Sequence, residues 1–161
     1  MKVSQQGNTV ILEDIKHFNP KHIFECGQCF RWIKQEDDSY TGVAMGKVIN
    51  VKQDGDKIYL DNTTKEDFDN IWYDYFDLGR DYEEMVNTLK VMDEYLEKAT
   101  EFGEGIRILK QDGWEMLISF IISANNRIPM IQRAINNLSK NYGTYIGEYK
   151  GQEYYAFPTP Q

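Results

Sequence analysis

Residues 106–143 read IRILKQDGWEMLISFIISANNRIPMIQRAINNLSKNYG. Trp114, Leu117, Ile118, Ile121 and Ile122 recur at three- and four-residue spacing, which predicts one apolar face of a helix. Asp112 followed three residues later by Glu115 is a capping pair that opens that helix. Ser123-Ala124-Asn125-Asn126-Arg127 then supplies residue types that leave one helix and cap the next. Pro129 suits the first turn of a second helix, where the missing N–H has no partner to lose. Ile131, Ile135, Leu138 and Tyr142 form its expected buried face, and Gly143 its C′ stop. The stretch is therefore a helical hairpin that presents two asparagines and an arginine at its hinge.

The rest of the chain bounds what this hairpin can belong to. At 161 residues it can bury one good core, or one small domain and part of another. Eleven tyrosines, eight phenylalanines and three tryptophans predict an aromatic interior. No apolar run approaches bilayer length, and Met1-Lys2-Val3-Ser4 leads into polar sequence rather than a signal peptide. The expectation is an intracellular protein, cytoplasmic or nucleoid-associated if bacterial. The net charge of −8 opposes nucleic acid at first sight. It is unevenly spread. Residues 1–105 carry 12 Lys/Arg against 22 Asp/Glu, whereas residues 106–143 carry 5 against 2. The hairpin is a weakly basic island on an acidic chain, so any phosphate-contacting surface must be local.

In chain order, Asn8–Ile15 is short and β-branched and reads as a strand. Asn19-Pro20 starts a turn or helix through Lys21–Cys26. A second strand follows Gly27, and Glu36-Asp37-Asp38-Ser39 reads as a hairpin loop. Tyr40–Met45, Lys47–Lys52 and Lys57–Asp61 are further strands, with Gly46 and Asp54-Gly55 as turns. This predicts an antiparallel sheet of about five strands. Helices then take over. Thr64 and Asp67 mark a start, with Phe68, Ile71, Trp72, Tyr75 and Phe76 as the apolar stripe. Asp81 caps a helix with Tyr82, Met85, Val86 and Leu89 inward, and Asp93–Phe102 is another. Strands first and helices afterwards give an α+β part, 1–105, followed by an all-α part, 106–161.

Cys26 and Cys29, two residues apart and with His17 and His22 upstream, raise the possibility of zinc or a redox pair. Four well-spaced ligands are not present, and a thioredoxin-like site wants a βαβ frame that the neighbouring strands do not offer. Two thiols with no others fit a reducing compartment. No metal or other cofactor is expected.

Gly27-Gln28-Cys29-Phe30-Arg31-Trp32, Tyr75-Phe76-Asp77-Leu78, Leu109-Lys110-Gln111-Asp112 and Ser119-Phe120-Ile121-Ile122-Ser123-Ala124-Asn125-Asn126 follow one another in this order. With Gly143 and Phe157-Pro158, they resemble the 8-oxoguanine DNA glycosylases over essentially the whole chain. The resemblance implies a TATA-binding-protein-like N-terminal domain with a twisted antiparallel sheet, then the start of a helix-hairpin-helix glycosylase domain. It also implies a base-flipping enzyme acting on duplex DNA that contains oxidised guanine. Gly27 matches the glycine whose backbone carbonyl accepts the N7–H of the damaged base. Asn125 matches the asparagine that fills the space left by that base, with Asn126 and Arg127 beside it on the DNA side.

Two departures qualify this. Some family members have an arginine that reads the opposite cytosine, and Met130 stands there; a thioether cannot donate hydrogen bonds. The family's nucleophilic lysine and assisting aspartate have no counterpart in this sequence, so no catalytic residue is assigned. The expectation is the N-terminal part of a monomeric glycosylase/AP lyase, cut or encoded short at Gln161. Two alternatives stay open: a non-catalytic DNA- or protein-binding module, and an alkylated-base glycosylase of the same architecture.

Overall fold

Local turn chemistry builds the sheet. Met45 and Gly46 both take positive φ (+53° and +72°), which joins Tyr40–Ala44 (β4) to Lys47–Asp54 (β5) by a two-residue hairpin. The computed structural model of the chain describes residues 1–160. Lys2–Gln6 (β1), Thr9–Glu13 (β2), Trp32–Lys34 (β3) and Lys57–Asp61 (β6) complete one antiparallel sheet in the order β1-β2-β6-β5-β4-β3. Tyr145–Tyr149 (β7) and Gln152–Tyr155 (β8) form a separate hairpin, so residues 106–161 are not all-α as expected: tyrosines paired across two short strands follow the helices there. There are thus six strands in the sheet rather than five. β1 offers one apolar residue, Val3, on an otherwise exposed edge, so it has no alternation to detect.

Helices cover one face of this sheet with aromatic rings. Phe24, on Pro20–Glu25 (α1), stacks on Trp32 at 4.0 Å between ring centroids. Trp32 donates Nε1–H to the Tyr75 hydroxyl at 3.0 Å, and Trp72 donates to Thr63 Oγ1 at 2.7 Å, so both buried indoles are satisfied. Gly42 on β4 lies against the indole of Trp32, and a Cβ there would overlap the ring. The helical run capped by Thr64 passes from Lys65–Asp67 (α2) through a π-helical turn, Phe68–Trp72, into Tyr73–Tyr75 (α3). Phe68, Trp72, Tyr75 and Phe76 are buried there, and Ile71 is half-buried.

Asp81 and Asp93 accept from backbone N–H groups at the starts of Tyr82–Lys90 (α4) and Glu94–Phe102 (α5), as expected of caps. Of α4's expected inward residues only Tyr82 is buried; Met85 is exposed. Gly113–Ser123 (α6) and Ile128–Tyr142 (α7) are the predicted hairpin. Asp112 accepts from the Glu115 N–H at 2.8 Å.

The predicted faces need correction. Leu117 is 55% exposed, Ile121 62% and Tyr142 76%, while Ser119, Ile131, Ile135 and Ser139 are buried. α6 is apolar almost all round, so spacing alone could not say which side turns inward. Gly143 is not a left-handed C′ residue either; its backbone is extended, at φ −85° and ψ 166°. Glycine is required there because a Cβ would run into the Ala156 carbonyl. The β7–β8 hairpin is fastened to the sheet layer at two places, by Tyr149 Oη donating to Asp61 and Arg31 Nη2 donating to the Tyr155 carbonyl. Among the described residues no helix is long and apolar enough to cross a membrane.

Candidate nucleic-acid interface

The site begins at the end of α1. Asn19 caps this helix, with Oδ1 accepting from Lys21 N at 3.1 Å and His22 N at 3.4 Å. The helix stops at Cys26, and the next residue, Gly27, turns the chain at φ +87°. This is left-handed backbone, which glycine adopts without steric cost. An added Cβ would point into open space, so the conformation rather than crowding selects glycine. Among the described residues no donor reaches the Gly27 carbonyl. Gln28 then ties the turn to residues 107–111 by side-chain and backbone hydrogen bonds.

A cleft of about 370 Å³ runs beside this turn. Gly27, Phe30, Trp32 and Lys34 line one side, and Ile128 and Gln132 of α7 the other. The structure thereby brings the Gly27 turn against the start of α7. Asn125, Asn126, Arg127 and Met130 do not line the cleft; they stand exposed around the hinge one step away.

Asn125 takes φ +50° and, among the described residues, its side chain has no hydrogen-bond partner. It is not the cap of α7, since Arg127 occupies that position without a side-chain bond. Asn126 braces the turn, its Nδ2 donating to the Ile122 carbonyl at 3.2 Å and its Oδ1 accepting from Arg127 N at 2.9 Å. Sequence reasoning missed Ile128 and Gln132. The signal available was Ile128 at the helix start, three before Ile131 and seven before Ile135 on the same stripe, yet exposed where they are buried.

Under the turn, the two cysteines are chemically unlike. Cys26 is exposed and Cys29 buried, and both are free. Burial, with smaller contributions from Cys26 and Glu115, pushes the Cys29 thiol far above its ordinary value. Among the described residues no group of three or more His, Cys, Asp or Glu side chains is placed to hold a metal ion. Lys34 at the cleft pairs with Asp38 at 2.8 Å, and that hydrogen bond raises its ammonium above the ordinary value. A lysine held protonated in this way is not an activated amine.

The profile of the 8-oxoguanine DNA glycosylase N-terminal domain matches residues 10–117. The chain belongs to this family. An N-glycosylase/DNA lyase of Saccharomyces cerevisiae is 32% identical over 154 residues, covering 87% of this chain and 40% of the yeast protein. The 8-oxoguanine glycosylase/lyase of Clostridium acetobutylicum in its apo form superposes with a TM-score of 0.93 at 50% identity, over 98% of this chain and 54% of that one. The same enzyme with double-stranded DNA containing cytosine opposite 8-oxoG gives a TM-score of 0.95 over 99% and 54%. The chain thus spans two fifths of the yeast relative and about half of the clostridial 8-oxoguanine glycosylase/lyase.

Proposed function

We propose that this chain is the N-terminal part of a base-excision-repair DNA glycosylase/AP lyase that takes 8-oxoguanine out of duplex DNA by base flipping. The observation that carries the reading is Gly27. It lines the cleft at positive φ and, among the described residues, its carbonyl accepts no hydrogen bond. Ordinary guanine offers an acceptor at N7. Oxidation at C8 places a proton there, so the damaged base becomes a donor that a backbone carbonyl can receive. A carbonyl facing the acceptor of ordinary guanine would be repelled, which makes one atom the basis of discrimination.

Asn125 is assigned to the space vacated by the flipped base, with Asn126 and Arg127 as its DNA-side neighbours. An exposed side chain that has no hydrogen-bond partner among the described residues is available for that role. Met130 offers nothing to a cytosine edge, so strict preference for cytosine opposite the lesion is not expected. Residues 1–105 are taken as the TATA-binding-protein-like domain and 106–161 as the start of the helical glycosylase domain. The working protein is taken to be an intracellular monomer.

Single-turnover incubation of the complete glycosylase with duplexes containing oxidised guanine, ordinary guanine or a methylated purine tests the proposal. Release of oxidised guanine alone is expected. Release of the methylated base without the oxidised one would replace this reading by an alkylated-base glycosylase.

A further inference from the structure

We infer that Gln28 is a positioning residue that fixes the Gly27 carbonyl relative to the α6–α7 side of the cleft, and so sets the preference for oxidised over ordinary guanine; this rests on the function proposed above. The Gly27 turn has little else to hold it. Glycine has no side chain to pack, nothing beyond its chain neighbours lies within 4 Å of where its Cβ would be, and among the described residues its carbonyl accepts no hydrogen bond. A turn of that kind swings unless the next residue is anchored.

Gln28 is anchored by every polar atom of its side chain. Its Oε1 accepts from Leu109 N at 3.0 Å, and its Nε2 donates to the carbonyls of Ile23 at 2.8 Å and Arg107 at 2.9 Å. Its own carbonyl accepts from Gln111 Nε2 at 2.7 Å. A primary amide supplies one acceptor and two donors in a plane, and all three are used here. These bonds join the end of α1, the Gly27 turn and the segment that leads into α6.

The segment is itself fixed. Arg107 donates to the carbonyls of His17, Asp77 and Lys16 at 2.7–2.9 Å, and Leu109 is buried in the aromatic core. Gln28 therefore transmits the position of a rigid junction to a glycine that could not hold position by itself. A wrong tilt of one carbonyl would cost the N7–H bond without altering phosphate contacts elsewhere.

Two variants test this. Gln28→Met keeps the length of the side chain and removes all three bonds, and Gln111→Met removes only the bond to the Gln28 carbonyl. In this chain alone, hydrogen exchange at the Leu109 amide should quicken about tenfold or more in Gln28→Met. In the complete glycosylase, single-turnover excision of oxidised guanine should fall by roughly tenfold, the effect of one hydrogen bond, with a smaller fall for Gln111→Met. Affinity for undamaged duplex should stay within about twofold, since phosphate contacts govern it.

Unchanged Leu109 exchange, or a wild-type excision rate in the folded Gln28→Met enzyme, overturns the positioning role whatever happens to the melting temperature. A wild-type enzyme that releases no oxidised guanine defeats the functional reading instead, and the two failures are told apart by that control.

Discussion

Arg31, in the loop entering β3, faces Glu115 on the first turn of α6 across 3.6 Å, with side chains only 7% and 21% exposed. One belongs to the sheet layer and the other to the helical hairpin, so the pair is a tie between them. Burial lowers the basicity of Arg31 and raises the Glu115 carboxyl, while each charge partly restores the other. Breaking such a pair leaves a buried charge alone. Arg31→Met or Glu115→Leu alone should cost about 3 kcal/mol, whereas the two together should recover most of it. Urea unfolding of the single and double variants measures both, and an additive double variant would show that the charges do not interact.

Asp61 should give the chain a stability that is lost in acid. Burial works to raise its carboxyl, but hydrogen bonds from Tyr149 and Thr9 outweigh this and hold it below the ordinary value. A carboxylate with a depressed folded value stabilises at pH above its unfolded value, and the contribution disappears as pH falls through the folded one. Asp61→Asn should therefore melt below wild type at neutral pH, with the gap closing below about pH 4, the ordinary aspartate range. A gap that stays constant with pH would mean that Asp61 contributes shape rather than charge.

The two thiols should react as a pair of opposites. Cys26 is exposed and should take up one equivalent of a disulfide reagent quickly. Cys29 is buried, its thiol is pushed strongly upward, and it should react only on unfolding. Elemental analysis should find no stoichiometric zinc. Two fast thiols, or one zinc per chain, would contradict this account of the turn.

Lys34 should not act as a nucleophile. It lines the cleft, but its pairing with Asp38 favours the protonated amine. This chain, mixed with an oxidised-guanine duplex and borohydride, is expected to give no covalent adduct. A trapped band that vanishes in Lys34→Gln would reverse the assignment.

Asn125 should matter to reaction far more than to folding. It does not cap α7 and, among the described residues, its side chain has no hydrogen-bond partner, so Asn125→Ala should cost only the strain of alanine at positive φ, about 1 kcal/mol. If Asn125 occupies the vacated base position, its bonds form only after extrusion, and their loss acts on the chemical step. The complete enzyme should then excise oxidised guanine roughly ten- to a hundredfold more slowly, for one or two lost bonds. Single-turnover rates beside melting curves decide it; a wild-type rate would leave Asn125 without a role at the lesion.

Much of the fold was legible because turns announce themselves. Gly46 and Asp54-Gly55 placed β4, β5 and β6 to within one or two residues of their ends. β1 was not legible, since its stability comes from pairing with β2 and not from its own side chains. The β7–β8 hairpin hid among tyrosines and glycines whose partners, Asp61 and Arg31, lie more than eighty positions away. At the site, Gly27 and Asn125 stood out through resemblance to a family, not through periodicity. Ile128 and Gln132 could not be placed at the cleft, because only the angle between α7 and the Gly27 turn brings them there.

The β7–β8 hairpin joins parts of the chain that lie far apart in sequence. One end of it is tied to the sheet at Asp61, and the other is gripped by the same arginine that faces α6. Gln28 and Arg107 bolt the opposite flank. Among the described residues, side-chain bonds thus tie the sheet to β7–β8, to α6 and to the segment that leads into α6. On the function proposed above, the deformation needed to bring a lesion to this cleft would fall on the duplex more than on this part of the protein.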